Sequence, residues 1–137
     1  MSVPVPLRKG GHMEVHTKAH YLAVYTSKIL SNKKIFKEEI DNTLIERIKS
    51  NAYDIYTKSW SANSIRADTN KVNRIYRYNL QEETILLCEE MLANIHIAKC
   101  VFHLRNKRIQ YWSGLITDVK NLLQGWKESD VQRFGQP

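Results

Sequence analysis

An all-α chain is what this sequence predicts, folded as an antiparallel up-down-up-down four-helix bundle. Three observations carry that reading. No proline stands between Leu7 and Gln136, since Pro4, Pro6 and Pro137 are the whole set, so nothing in that span must break a helix. Apolar residues recur at steps of three and four in four separate stretches, the period of a helix that buries one stripe. The breaks between stretches are short, which sets sequential helices antiparallel and side by side. At 137 residues and 42% hydrophobic content, the chain suits one domain around one core.

Taken in order, residues 1–13 contain Pro4, Pro6, Gly10 and Gly11 and predict an extended or mobile arm. A first helix over 14–31 carries Val15, Ala19, Leu22, Thr26 and Ile29 along one side. A second over 37–66 carries Ile40, Leu44, Ile48, Ala52, Ile55 and Ser59. A third over 70–103 carries Cys88, Met91, Ile95, Ala98 and Phe102, widened by Ile85, Leu86 and Leu92. The fourth, 108–128, steps through Ile109, Trp112, Ile116, Val119, Leu123 and Trp126, widened by Leu115 and Leu122. Trp112, Ile116, Val119, Leu123 and Trp126 are therefore expected in the core. The bundle spans 14–130, and 131–137 is expected to be a tail. The breaks fall at Asn32 to Phe36, Ala67 to Thr69 and Leu104 to Lys107.

Lys and Arg number 21 against 14 Asp and Glu, a net charge of +7, which makes a polyanion the first partner to consider. The excess is uneven. Residues 1–37 hold Arg8, Lys9, Lys18, Lys28, Lys33, Lys34 and Lys37 against Glu14 alone, and no acid lies between Met91 and Thr117. In an up-down bundle the first and third turns share an end, so Lys33, Lys34, Arg105, Lys107 and Arg108 come together there. Arg66, Lys71, Arg74 and Arg77 bracket the second turn. The candidate nucleic-acid-binding set is thus Arg8, Lys9, Lys28, Lys33, Lys34, Lys37, Arg66, Lys71, Arg74, Arg77, Arg105, Lys107 and Arg108. Cations that neutralise phosphates release counterions and give salt-sensitive affinity without base selectivity. A solvated basic surface with no particular ligand accounts for the same composition.

Patterns for chemistry are sparse, and no catalytic residue is expected. His12, His16 and His20 are four apart, and a helix would put His16 and His20 on one face as a metal pair requires. No Cys, Asp or Glu completes that set, so neither metal nor cofactor is expected; a metal-dependent enzyme built on these histidines is the rival reading. Cys88 and Cys100 fall twelve residues apart in one helix, about 18 Å by helical rise and beyond a disulfide. Both are expected to be reduced and dulled by apolar surroundings. No Glu precedes a His by three, as a ferritin-like centre would need, so Glu82, Glu83, Glu89 and Glu90 are expected to neutralise lysines or accept a basic partner. The five glycines are scattered and make no phosphate loop. The opening MSVPVPLRKGG lacks an apolar segment, and no run of about 18 apolar residues occurs, so a cytoplasmic protein with no membrane contact is expected.

Tyr25, Tyr56, Trp60, Tyr76, Tyr78 and Tyr111 flank the stripes or lie off them. Either bundle flanks bury those rings and wet their hydroxyls, or subunits meet there.

The fourth helix also carries a resemblance. Tyr111, Trp112 and Ser113, then Asp118, Val119 and Lys120, then Trp126, Lys127, Ser129 and Asp130, ending at Arg133 and Phe134, resemble the final helix of the accessory variability determinant family. Val3, Pro4, Arg8 and Lys9 at the opening, and Asn32, Lys33 and Phe36 in the first turn, are similar as well. The likeness spans nearly the whole chain and is specific in the last third. It implies a small four-helix-bundle protein of a diversity-generating retroelement, without an active site of its own. Such a protein assembles as a pentameric barrel, contacts the reverse transcriptase and binds RNA or single-stranded DNA during mutagenic copying. Under this resemblance Tyr111, Asp118, Asp130 and Arg133 are candidate subunit contacts, with Asp118 and Asp130 expected in salt bridges within or between subunits. A second group with the same fold, the bundle proteins encoded in ribosomal RNA intervening sequences, implies an oligomeric scaffold or RNA-binding role with no reverse transcriptase.

Overall fold

The computed structural model describes the backbone from Val5 and the side chains from Glu14 through to Pro137. The described residues form four helices: α1 Val5–Leu30, α2 Glu38–Ser64, α3 Lys71–Val101 and α4 Asn106–Phe134. No strand occurs among the described residues. Each helix packs on the next, and α4 closes the ring against α1. Contacts across the seams show the directions. His16 and His20 of α1 meet Trp60 and Tyr56 of α2. Asn51 and Lys58 of α2 meet Glu90 and Glu83 of α3. Arg77 and Glu89 of α3 meet Asp130 and Lys120 of α4. Residue numbers rise on one helix as they fall on the next, so neighbours are antiparallel.

The apolar stripes turn inward because a period near 3.6 brings every third or fourth residue to one side. Val15, Ala19 and Leu22 meet Leu44, Ile48, Ala52 and Ile55, with Cys88, Met91, Ile95 and Ala98 opposite and the whole α4 seam from Ile109 to Trp126 closing the core. Burying an aliphatic side chain of this size contributes about 1.5–3 kcal/mol. Several polar groups caught inside find partners. Trp112 Nε1 donates to Thr26 Oγ1 at 3.1 Å, and Asn94 Nδ2 donates to Asn51 Oδ1 at 2.8 Å. Ser59 and Thr84 hydroxyls donate back to the carbonyls of Ile55 and Leu80, one turn earlier.

Several expectations are corrected. The arm expected over 1–13 is helical from Val5 onward. Pro6 falls in the first turn, where a backbone N–H has no helical partner to lose, so proline does not exclude the helix there. The tail expected over 131–137 is helical to Phe134, and the turn comes at Gly135, with φ +92° and its N–H on the Val131 carbonyl at 2.8 Å. Ile40 was expected in the core and is 51% exposed. Asp41 leaves the helical region at φ −163°, ψ 82°, and its Oδ1 accepts the Leu44 N–H at 3.0 Å, so the continuous helix starts after Asp41 and Ile40 is out of phase with it. Leu86 is 67% exposed because two residues turn a helix by about 200°, which sets it opposite the buried Cys88.

The bundle ends are closed by residues outside the stripes. Phe36, from the turn between α1 and α2, is fully buried; Leu30, Ala67 and Leu104 join it in the interior. In the first half of α3, Gln81 and Thr84 are buried as well.

Candidate nucleic-acid interface

Two turns share one end of the bundle, and their geometry is set by short-range chemistry. In the α1–α2 turn, the Phe36 N–H donates to the Asn32 carbonyl at 2.9 Å and the Lys34 N–H to Asn32 Oδ1 at 3.1 Å. That fold drives Phe36 inward, where its ring lies 5.3 Å from Phe102 and 6.1 Å from Trp112, so the first turn is locked to the third. The third turn ends α3 with Phe102 N–H on the Ala98 carbonyl and Leu104 N–H on the Lys99 carbonyl at 3.0 Å. This six-to-one bond is the Schellman arrangement, which asks for a left-handed residue before Leu104; here it is His103, at φ +56°, in place of the usual glycine.

The locked turns gather cations. Lys34, Lys37, Arg105 and Arg108 line a cleft of about 550 Å³ whose remaining wall includes Ile35, Ile40 and His103. Arg105, Lys107 and Arg108 also face Tyr25 and Ile29 across an adjoining groove of about 480 Å³. Burial pushes the Tyr25 phenol above its ordinary value, and nearby Arg108 pulls against that rise. α4 opens at this end with Arg105 at its cap and no side-chain cap bond, so the positive end of its backbone dipole adds to the potential. The acids of these turns are Glu38, Glu39 and Asp41. Glu38 pairs with Lys33 at 2.9 Å and Asp41 is occupied with its cap. Among the described residues, Lys28, Lys34, Lys37, Arg105, Lys107 and Arg108 have no carboxylate partner.

The cations around the second turn are differently placed. Arg77 is drawn inward: its Nε and Nη2 donate to the two Asp130 oxygens at 2.7 and 2.9 Å, and its Nη1 donates to the Ile65 carbonyl at 3.0 Å. Arg74 is half-buried, with Nη1 reaching the Ala67 carbonyl at 3.5 Å and Nε buried without a partner. It borders a cavity of about 10 Å³ shared with Gln81 and Asp130, which has room for one water and nothing larger. Arg66 holds Asp68 through two bonds, and that contact depresses the Asp68 carboxyl. Lys71 alone of this set is exposed and without an acid among the described residues. Arg77 and Arg74 thus depart from their expected role, because α4 runs on past residue 128 and its last turns cover the start of α3. Arg8 and Lys9 lie in α1, with side chains outside the described residues.

The other predicted positions resolve as follows. Trp112, Ile116, Val119, Leu123 and Trp126 are all buried. Asp130 is spent on an ion pair inside its own chain, the first of the two roles expected for it. Tyr111 is half-exposed, and its hydroxyl meets the Tyr21 hydroxyl at 2.8 Å. Asp118 is exposed on α4. Arg133 is exposed with its guanidinium 5.0 Å above the Phe134 ring. Three of the four α3 acids neutralise lysines: Glu82 takes Lys127 at 2.6 Å, Glu83 takes Lys58 at 3.3 Å and Glu89 takes Lys120 at 3.0 Å. Glu90 instead accepts Asn51 Nδ2 at 2.7 Å. His16 stacks on Trp60 at 5.7 Å and His20 meets Tyr56 edge-on at 5.4 Å, so both rings are held by α2 aromatics. His12 lies outside the described side chains, and no group of three metal-ligating residues occurs among those described. Cys88 is buried as expected, whereas Cys100 is exposed. No helix is long and apolar enough to cross a membrane among the described residues.

Sequence reasoning missed Ile35, Ile40 and His103 as parts of the cationic cleft. Ile40 fits the α2 stripe by spacing, and only the Asp41 backbone removes it. His103 sits where a helix stop was expected, which is the available signal. No family model, curated protein or solved structure matches this chain.

Proposed function

We propose that this chain is a non-enzymatic accessory protein of a diversity-generating retroelement. It binds the reverse transcriptase and holds template RNA or complementary DNA through its basic surface while the mutagenic copy is made. The observation that carries the nucleic-acid part is the shared end of the first and third turns. There Lys34, Lys37, Arg105, Lys107 and Arg108 cluster with no carboxylate of their own, while three of the four acids of α3 are absorbed by lysines elsewhere. The four-helix architecture and the resemblance of α4 to the accessory variability determinant family support the retroelement part.

Assembly into a homo-oligomer, a pentamer by the resemblance, belongs to the same proposal. Trp60 at 57% exposure and a row of exposed apolar residues on α3, Val72, Tyr76, Leu86 and Ile97, support it, because a monomeric bundle gains nothing from such a surface. A cytoplasmic setting goes with a reverse transcriptase partner. The ribosomal RNA intervening-sequence type is the second reading, favoured by the same cationic bundle if no polymerase is involved.

Binding of a labelled RNA titrated against salt tests the electrostatic part: affinity is expected to fall steeply as salt rises, and salt-independent affinity rejects it. A reverse transcriptase gene beside a template and variable repeat pair is expected in the genomic neighbourhood; its absence favours the second reading. Sedimentation equilibrium is expected to return five times the 16.1 kDa of one chain.

A further inference from the structure

Positive charge alone does not account for the walls of the cleft between the first and third turns. Ile40 stands half in solvent among lysines, displaced from the core by the Asp41 backbone, and Ile35 lies half-buried beside it. His103 is exposed and held at φ +56°, a region an L-residue enters at a conformational cost that glycine would not bear. The cleft therefore offers two kinds of surface: a cationic rim from Lys34, Lys37, Arg105 and Arg108, and a wall of aliphatic and imidazole groups. A phosphate alone uses only the rim. A nucleotide, with its anionic phosphate and flat base, uses both.

Size and access narrow the choice. A cleft of about 550 Å³ is in the range of sites for single small molecules. It has room for one nucleotide and not for the width of a duplex. In a duplex the base faces are stacked on one another and unavailable to a protein wall, whereas an unpaired strand presents them.

We propose that this cleft takes one unpaired nucleotide of a single-stranded RNA or DNA, with its phosphates on the rim cations and its base against His103 and Ile40. The proposal rests on the reading of this end as the polyanion site and adds a preference for unpaired strands.

Fluorescence anisotropy at low salt tests it, with a single-stranded 12-nucleotide RNA, the same sequence as a duplex, and tripolyphosphate and AMP as competitors. The variant is His103→Gly with Ile40→Ser, which leaves every Lys and Arg in place. Glycine suits the backbone at 103 and Ile40 lies outside the core, so the variant is expected to unfold at the same temperature as the parent. For the parent, the unpaired strand is expected to bind more tightly than the duplex at equal phosphate, and AMP to compete only far above the strand concentration. The variant is expected to lose about tenfold on the strand and nothing on duplex or tripolyphosphate. Equal binding of strand and duplex by the parent, or an unchanged strand affinity in the variant, overturns the proposal. AMP competing as well as the strand assigns the cleft to a free nucleotide and overturns it too. If duplex and tripolyphosphate bind normally in those cases, the polyanion site stands without the base cleft; if no polyanion binds at low salt, both fall.

Discussion

Arg77 is the cation whose surroundings differ most from those of the rest. Its guanidinium meets both Asp130 oxygens and lies 5.0 Å over the Trp126 ring, while Gln81 Nε2 donates a further bond to Asp130 at 2.8 Å. The two charged side chains are 13% and 11% exposed, so removing one strands the other in a poorly solvated place. Arg77→Met is expected to cost about 3–5 kcal/mol in urea unfolding, and the joint change with Asp130→Leu to cost less than the single one. Thr26→Val should cost about 1–3 kcal/mol by the same measurement, because Trp112 Nε1 would be left buried with no acceptor. Cysteine chemistry follows burial in the same way. Burial pushes the Cys88 thiol up to about 12, so at pH 8 iodoacetamide is expected to label Cys100 in the native protein and Cys88 only after unfolding. Since the unfolded thiol ionises near 9.0, the stability this group contributes is present below that pH and lost as pH rises towards about 12. At this scale the core was legible, because each seam residue repeats at a helical step. The Asp130 pairing was not, since an ion pair between positions 53 apart leaves no local period.

Helix boundaries were legible to within a few residues where turns are made by the chain itself, and less so where a distant contact decides. α3 starts at a readable signal: Asn70 Oδ1 accepts the Asn73 N–H at 2.8 Å. α2 has a hidden one, because Asp41 lies inside the apolar stripe and restarts the helix there. Asp41→Ala and Asn70→Ala should each cost about 1 kcal/mol in thermal or urea unfolding. The phase shift at Asp41 makes a sharper contrast. Ile48→Ala, at a fully buried position, should cost about 2–5 kcal/mol, while Ile40→Ala should stay within about 0.5 kcal/mol of the parent. Equal losses at the two positions would contradict the Asp41 cap. α4 outran its expected end because Asp130 bonds to α3 and Val131 and Phe134 line the cavity beside Ala67, contacts that no window on α4 alone contains.

Across the whole molecule, the excess of positive charge was legible and its distribution was half legible. The first and third turns were expected to share an end, and the Phe36 contacts with Phe102 and Trp112 bring them together. The cations bracketing the second turn were expected in the binding set as well, yet its arginines are spent on Asp68, Asp130 and backbone carbonyls. Lys58 of α2 and Lys120 and Lys127 of α4 are likewise taken by acids of α3. What is left among the described residues is a cluster of cations without carboxylate partners where the first and third turns meet. The most direct measurement is the slope of log affinity against log salt for single-stranded RNA, in the parent and in two variants. With Lys34, Lys37, Arg105 and Arg108 all changed to alanine, the slope should shrink by about 0.7 for each contacting cation, about 3 in total. With Arg66 and Lys71 changed instead, it should match the parent. An unchanged slope in the first variant, with a reduced one in the second, would contradict the account.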